Sequence, residues 1–211
     1  MKRKKSSGHS SSFKKCVAMA TVICLLLIGS TQSRAATYNE TINGDLSGNR
    51  LAPTPFVLEL GSNTLSASSF NSPFVDDVEY VKVTVPAGAW MHRLSLTNYV
   101  SDDPRAFIGF VSGPTFPTDA NSTAAATLLG YAHFGSNTYM PLDNMLVSMS
   151  TAAGAAGFTY PLAAGDYTFW VQQTSGQLTQ YTFDYQVQLV PEPTALAAVA
   201  LGAVLLRRRR V

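Results

Sequence analysis

The sequence predicts an all-β domain, a single antiparallel β-sandwich of seven or eight strands, flanked by an N-terminal signal helix and a short C-terminal hydrophobic helix. Three observations carry this reading. Residues 181–189 place Tyr181, Phe183, Tyr185, Val187 and Leu189 on one face and Thr182, Asp184, Gln186 and Gln188 on the other. A period of two over so long a run suits a strand and no helix. Stretches of this kind recur along the chain, broken every eight to fifteen residues by Gly, Pro, Asn or Asp, which is the spacing of a sandwich. Charge is also segregated. Of the 15 Lys and Arg in 211 residues, seven precede Thr37 and four close the chain, leaving Arg50, Lys82, Arg93 and Arg105 against twelve carboxylates in residues 37–190. That body carries a net charge of −8, which argues against nucleic-acid binding, because a binder needs its cations on the folded surface.

The first element is residues 1–36. A basic, serine-rich start leads into twelve uncharged residues, 17–28 (VAMATVICLLLI), and then a small and polar stretch ending Ser33-Arg34-Ala35-Ala36. This is the three-part layout of a secretory signal peptide, with cleavage expected after Ala35 or Ala36. As a helix the apolar run reaches about 18 Å, short of the roughly 30 Å hydrocarbon core. Both cysteines, Cys16 and Cys24, fall in this segment, so the exported body has no disulfide and must be held by its core.

Strands are expected next at residues 56–60, 79–85, 92–99, 106–111, 128–134, 166–173 and 181–189, with Pro86-Ala87-Gly88 ending the second and Gly165-Asp166 turning into the sixth. In that sixth strand Tyr167, Phe169 and Val171 point inward and Trp170 outward or into a second layer. Residues 112–126 and 152–157 are rich in small residues, several of them loop formers, and read as loops. Residues 143–150 (DNMLVSMS) fit either a short helical turn capped by Asp143 or another strand.

The last element, residues 190–211, holds Pro191-Glu192-Pro193, thirteen uncharged residues (194–206, TALAAVALGAVLL), then Arg207, Arg208, Arg209 and Arg210. The apolar run is marginal for a stable span, and the arginines would stay on the cytoplasmic side of a chain whose body has crossed. A plain C-terminal membrane anchor has the same outline. The three parts in this order resemble a PEP-CTERM sorting signal. That resemblance implies that Pro191, Glu192 and Pro193 are read by an exosortase-type protease, with the helix only a transient membrane anchor. The body, 37–189, resembles a bacterial pre-peptidase C-terminal type domain through residues 76–88 (DDVEYVKVTVPAG) and 161–171 (PLAAGDYTFWV). This second resemblance implies a jelly-roll-like sandwich that stabilises, targets or binds and does not catalyse.

The candidate sites follow from residue chemistry. The body has only His92 and His133, forty residues apart, and no Gly-x-Ser-x-Gly, His-Glu-x-x-His or cysteine nucleophile, so no enzyme is expected. Asn43, Asp45, Asp76, Asp77 and Glu79 lie in two loops that a sandwich could bring together, and their hard oxygens suit calcium. Of these, Asp45, Asp76 and Asp77 are the metal candidates, set against their ordinary role in Asx-turns. The body also holds 21 aromatic residues. Most belong in a core, but Trp170, Trp90 and Tyr99 are the candidates for stacking on an exopolysaccharide. The expected protein is monomeric, leaves through the secretory translocon and ends at the cell surface or in the extracellular matrix.

Overall fold

A computed structural model describes residues 35–72, 75–120, 123–136, 144–173 and 175–191, without the side chains of residues 72, 75 and 76. Residues 1–34 of the signal segment and all of the sorting segment after Pro191 lie outside them, as does Asp143. In chain order the elements are β1 (Thr37–Asn39), α1 (Glu40–Asn43), β2 (Thr54–Val57), β3 (Gly61–Ser69), β4 (Asn71–Ser72), β5 (Val75–Asp76), β6 (Glu79–Val100), β7 (Ala106–Ser112), a 3-10 turn (Ala125–Thr127), β8 (Gly130–Phe134), α2 (Met145–Ser150), β9 (Leu162–Gln173) and β10 (Thr179–Leu189). The protein is mostly β, as the alternation predicts. Among the described residues no helix is long and apolar enough to cross a membrane.

Eight strands form one sheet in the order β1-β3-β10-β6-β9-β7-β8, with β2 beside β6, while β4 and β5 make a separate ribbon. The path from β3 to β8 is antiparallel throughout. The two remaining strands, β1 on β3 and β2 on β6, pair in parallel, which corrects the expectation of a wholly antiparallel sheet. Both lie at edges and are three or four residues long. They arrive there after connections long enough to carry the chain back to the same end.

β6 organises the fold. Residues 79–85 pair with β9, residues 89–100 pair with β10, and the register shifts between Val85 and Trp90. Pro86-Ala87-Gly88 therefore bends the strand where termination is expected. Gly88 takes φ 73 and, with Ala87, is exposed, so these residues bulge out of the β9 ladder while the strand continues beyond them. The bend folds the sheet over and sets its two halves face to face. Phe169 of β9 meets Tyr185 of β10 with ring centroids 5.9 Å apart, and Phe134 of β8 meets Phe183 of β10 at 5.0 Å. None of these strands is paired with the other, so the rings meet across the interior. Leu65, Val83, Ile108 and Phe110, each fully buried, fill the space between them.

The sequence pattern misses β3. Its run GSNTLSASS is small and polar, yet Asn63, Leu65, Ala67 and Ser69 alternate inward. Asn63 is fully buried: its Oδ1 accepts from the Ala36 and Glu59 amides, and its Nδ2 donates to the Glu59, Gly61 and Tyr185 carbonyls. The open question at residues 143–150 resolves as a helix, α2, capped by Asn144, whose Oδ1 accepts from the Leu146 amide at 3.2 Å.

Candidate functional site

The chain enters the sheet through β1 and at once turns away. Asn39 caps α1 by accepting from the Thr41 amide at 3.0 Å, and the helix stops after four residues because Gly44 takes φ 96, a conformation costly for any residue with a Cβ. Tyr38 donates its hydroxyl proton to the Gly44 carbonyl at 2.7 Å and fixes the return. Within this turn Glu40 reaches back over β3. Its Oε2 accepts from the Ser68 amide at 2.6 Å and from Ser68 Oγ at 3.0 Å, and its Oε1 accepts from the Leu46 amide at 3.3 Å.

Opposite this turn stands the first residue of β6. Glu79 is 0% exposed. Its Oε2 accepts from the Tyr181 hydroxyl of β10, and no donor reaches its Oε1. One carboxylate oxygen from each of Glu40, Asp45 and Glu79 lies within 4.8 Å of the others. Two residues ahead of Glu79, the half-buried Asp77 is held by its amide bond to the Phe70 carbonyl at 2.8 Å.

The charges that act on Asp77 and Glu79 are all carboxylates. Burial, then Asp45 and Glu40, push the Asp77 carboxyl up to about 6. Burial, then Glu40, push Glu79 up to about 11, against a weaker opposing pull from the Tyr181 hydrogen bond. Tyr181 is itself raised, first by burial and then by Glu79. A neutral Glu79 shares its proton with Glu40, while an ionised one leaves Oε1 without a partner. An ionised carboxylate so placed is costly unless a cation meets it.

The metal candidates fare differently. Asp45 belongs to this cluster; Asp77 is not among the three carboxylates that converge, although Asp45 and Glu40 act on its charge. Asp76 lies on β5 opposite Asn71, and its side chain is outside the described residues. Glu40, absent from the expected set, supplies the link between the two loops. Its signal was present: Asn39, Glu40, Asn43 and Asp45 put four hard-oxygen side chains into seven residues, but Asn39-Glu40-Thr41 also reads as a glycosylation match.

The aromatic candidates form no exposed platform. Trp170 is 8% exposed, which leaves little of its ring surface for stacking on a sugar. It sits on the outer face of β9 under the loop after β7, 4.7 Å from Phe107 and 5.8 Å from Phe116 between ring centroids. Burial there covers more apolar area than an exposed position could. Tyr99 is half-buried, donates to the Asp103 carbonyl at 2.8 Å and meets Phe134 edge-on. Trp90 is half-buried, on β6 opposite Gln188 and Ala163.

His92 and His133 lie on β6 and β8, which are not neighbours in the sheet. Burial, then Arg93 and Arg105 respectively, lower both imidazoles and favour their neutral forms. Pro191 is exposed; Glu192, Pro193 and Arg207 to Arg210 lie outside the described residues. A polar groove of about 210 Å³ opens beside Glu40, lined in part by Asn39, Thr41, Ser66, Gln180 and Thr182. No family model, curated protein or solved structure matches this chain.

Proposed function

We propose that the chain is an exported, non-enzymatic protein of the cell surface or extracellular matrix, a jelly-roll-like β-sandwich carried by the secretory translocon and delivered through its Pro-Glu-Pro tail by an exosortase-type protease. The observation that carries this reading is where the folded body stops. β10 ends at Leu189, the Val190 amide makes a last ladder-side bond to the Gly88 carbonyl at 2.8 Å, and Pro191 opens the motif on the next residue. The exposed Pro191 directly after the final strand supports a motif that begins where the sheet ends, the kind of position at which proteases reach a chain. The folded-over sheet with the β6 bend supports the sandwich assignment.

The test is the mass of the product. Replacing Pro191, Glu192 and Pro193 together by alanine should leave a longer, membrane-retained protein in the native host. Retention of Arg207 to Arg210 in the mature wild-type protein, read by intact mass, would sink the sorting role.

A second reading, an exopolysaccharide-binding module of the cell envelope, is favoured by the groove beside Glu40. Its hydroxyl and amide groups match the donors and acceptors of a sugar, without the flat aromatic first expected. Affinity electrophoresis through gels cast with bacterial exopolysaccharide, comparing wild type with the double change Gln180→Ala and Thr182→Ala, decides it. Equal mobility of both proteins with and without polysaccharide removes this reading.

A further inference from the structure

We infer that Glu40, Asp45 and Glu79 form a calcium site that clamps the start of the exported domain onto its central strand. The inference does not depend on how the protein is sorted or on whether it binds glycan. Its first support is geometric. Three carboxylate oxygens within 4.8 Å of one another can surround one ion at no more than about 2.8 Å from each, so a small inward movement of the exposed Asp45 would bring them to calcium–oxygen distances of about 2.3–2.6 Å. The donors are all hard oxygens, which selects against zinc and copper.

The second support is the unpartnered oxygen. Glu79 is fully buried, its Oε2 is taken by Tyr181, and its Oε1, in the ionised form that would meet a cation, has no hydrogen-bond partner. Buried polar atoms are nearly always satisfied, and each exception needs a reason. One Glu79 oxygen lies within 4.8 Å of an oxygen of Glu40 and of Asp45, so an ion held by all three would neutralise and partner this buried carboxylate.

The surroundings are also arranged as a ligand shell is. Glu40 is oriented by the Ser68 amide and hydroxyl and by the Leu46 amide, and Glu79 by Tyr181. Bonds of this kind fix the ligating groups before the ion arrives. Asp45 is exposed and provides the entry side. The three ligands come from α1, the loop after it and the start of β6, so the ion would join segments that the sheet itself holds through the three-residue β1 and the single bridge between Ser47 and Tyr80.

The experiment uses the full-length chain purified in mild detergent, stripped with EDTA and dialysed. Terbium, a luminescent stand-in for calcium, is added first; Tyr181, bonded to a ligand, and Tyr38, on the adjoining strand, are the energy donors. Expected are tyrosine-sensitised terbium emission, its loss on adding calcium but not equimolar magnesium, about one calcium retained per chain by metal analysis, and a higher melting temperature in millimolar calcium than in EDTA. Asp45→Asn, an exposed change that leaves the core alone, should weaken calcium binding by about tenfold or more. Glu79→Gln should abolish it, and if that variant does not fold, Asp45→Asn carries the comparison. The inference is overturned if no calcium is retained and melting curves in EDTA and calcium coincide, or if Asp45→Asn binds calcium as wild type does.

Discussion

Glu79→Gln separates the proton at the carboxylate cluster from everything else that holds the sheet. In EDTA the buried Glu79 carboxyl titrates at about 11, against 4.5 for an ordinary glutamate. At neutral pH the folded chain therefore keeps a proton that the unfolded chain has released. With the folded value raised, this contribution to stability is full below pH 4.5 and is lost as pH rises, at about 1.4 kcal/mol per unit. From pH 4.5 to 7 that amounts to about 3 kcal/mol, a large part of the roughly 5–15 kcal/mol total of a small domain. Asp77, raised from 3.8 to about 6, steepens the lower part of the same fall. Glutamine keeps the shape and an acceptor for Tyr181 but has nothing to titrate. Urea denaturation followed by tryptophan fluorescence, in EDTA at half-unit steps of pH, should show a steep decline for wild type and a flatter one for the variant. Parallel profiles for the two proteins would refute the argument, since they would mean that Glu79 is ionised in the folded state at neutral pH.

Other outcomes follow from the packing. Gly130→Ala should cost about 2–3 kcal/mol, because a Cβ on β8 would lie 2.4 Å from the Met149 carbonyl oxygen of α2, and backbone against backbone cannot yield cheaply; thermal melting checks it. Phe169→Ala should cost about 3–5 kcal/mol in urea unfolding, since its ring is fully buried between Phe110, 4.8 Å away, and Tyr185. Asn63→Ala should cost about 2–4 kcal/mol by the same measurement, because five buried or half-buried backbone groups lose their partner together. Reducing agent should leave the melting curve of the exported protein unchanged, because both cysteines precede Thr37.

The strands legible in the sequence are those whose alternation is chemically loud. β10 and the second half of β9 carry aromatic residues inward, and no other local structure accounts for their period. β3 escaped because its inward positions are Asn63, Leu65, Ala67 and Ser69, and a buried asparagine is visible only once its partners from residues 36, 59, 61 and 185 are assembled. The continuity of β6 escaped for a different reason. Pro86 and Gly88 carry the same local signal whether the chain stops or bends, and only pairing with β9 and β10 on either side decides between them. At the carboxylate cluster, Asp45 and Glu79 could be nominated from residue type, but Glu40 became a member only through the tight turn at Gly44 and the reach to Ser68. Trp170 was the reverse case: an outward position on β9 that a loop from β7 covers.

The placement of β10 bears on how the body would respond to force. It lies between β3 and β6, with nine residues opposite one and ten opposite the other. A tether attached beyond Val190 pulls along the strand, so the two ladders are loaded in shear and their hydrogen bonds resist together. The opposite end is built differently, because β1 meets β3 over only three residue pairs and can peel away bond by bond. A protein held at its C-terminal end in moving fluid would thus be gripped by its strongest strand, while a pull on the N-terminal end would strip β1 and α1 first and open the carboxylate cluster before the sheet gave way.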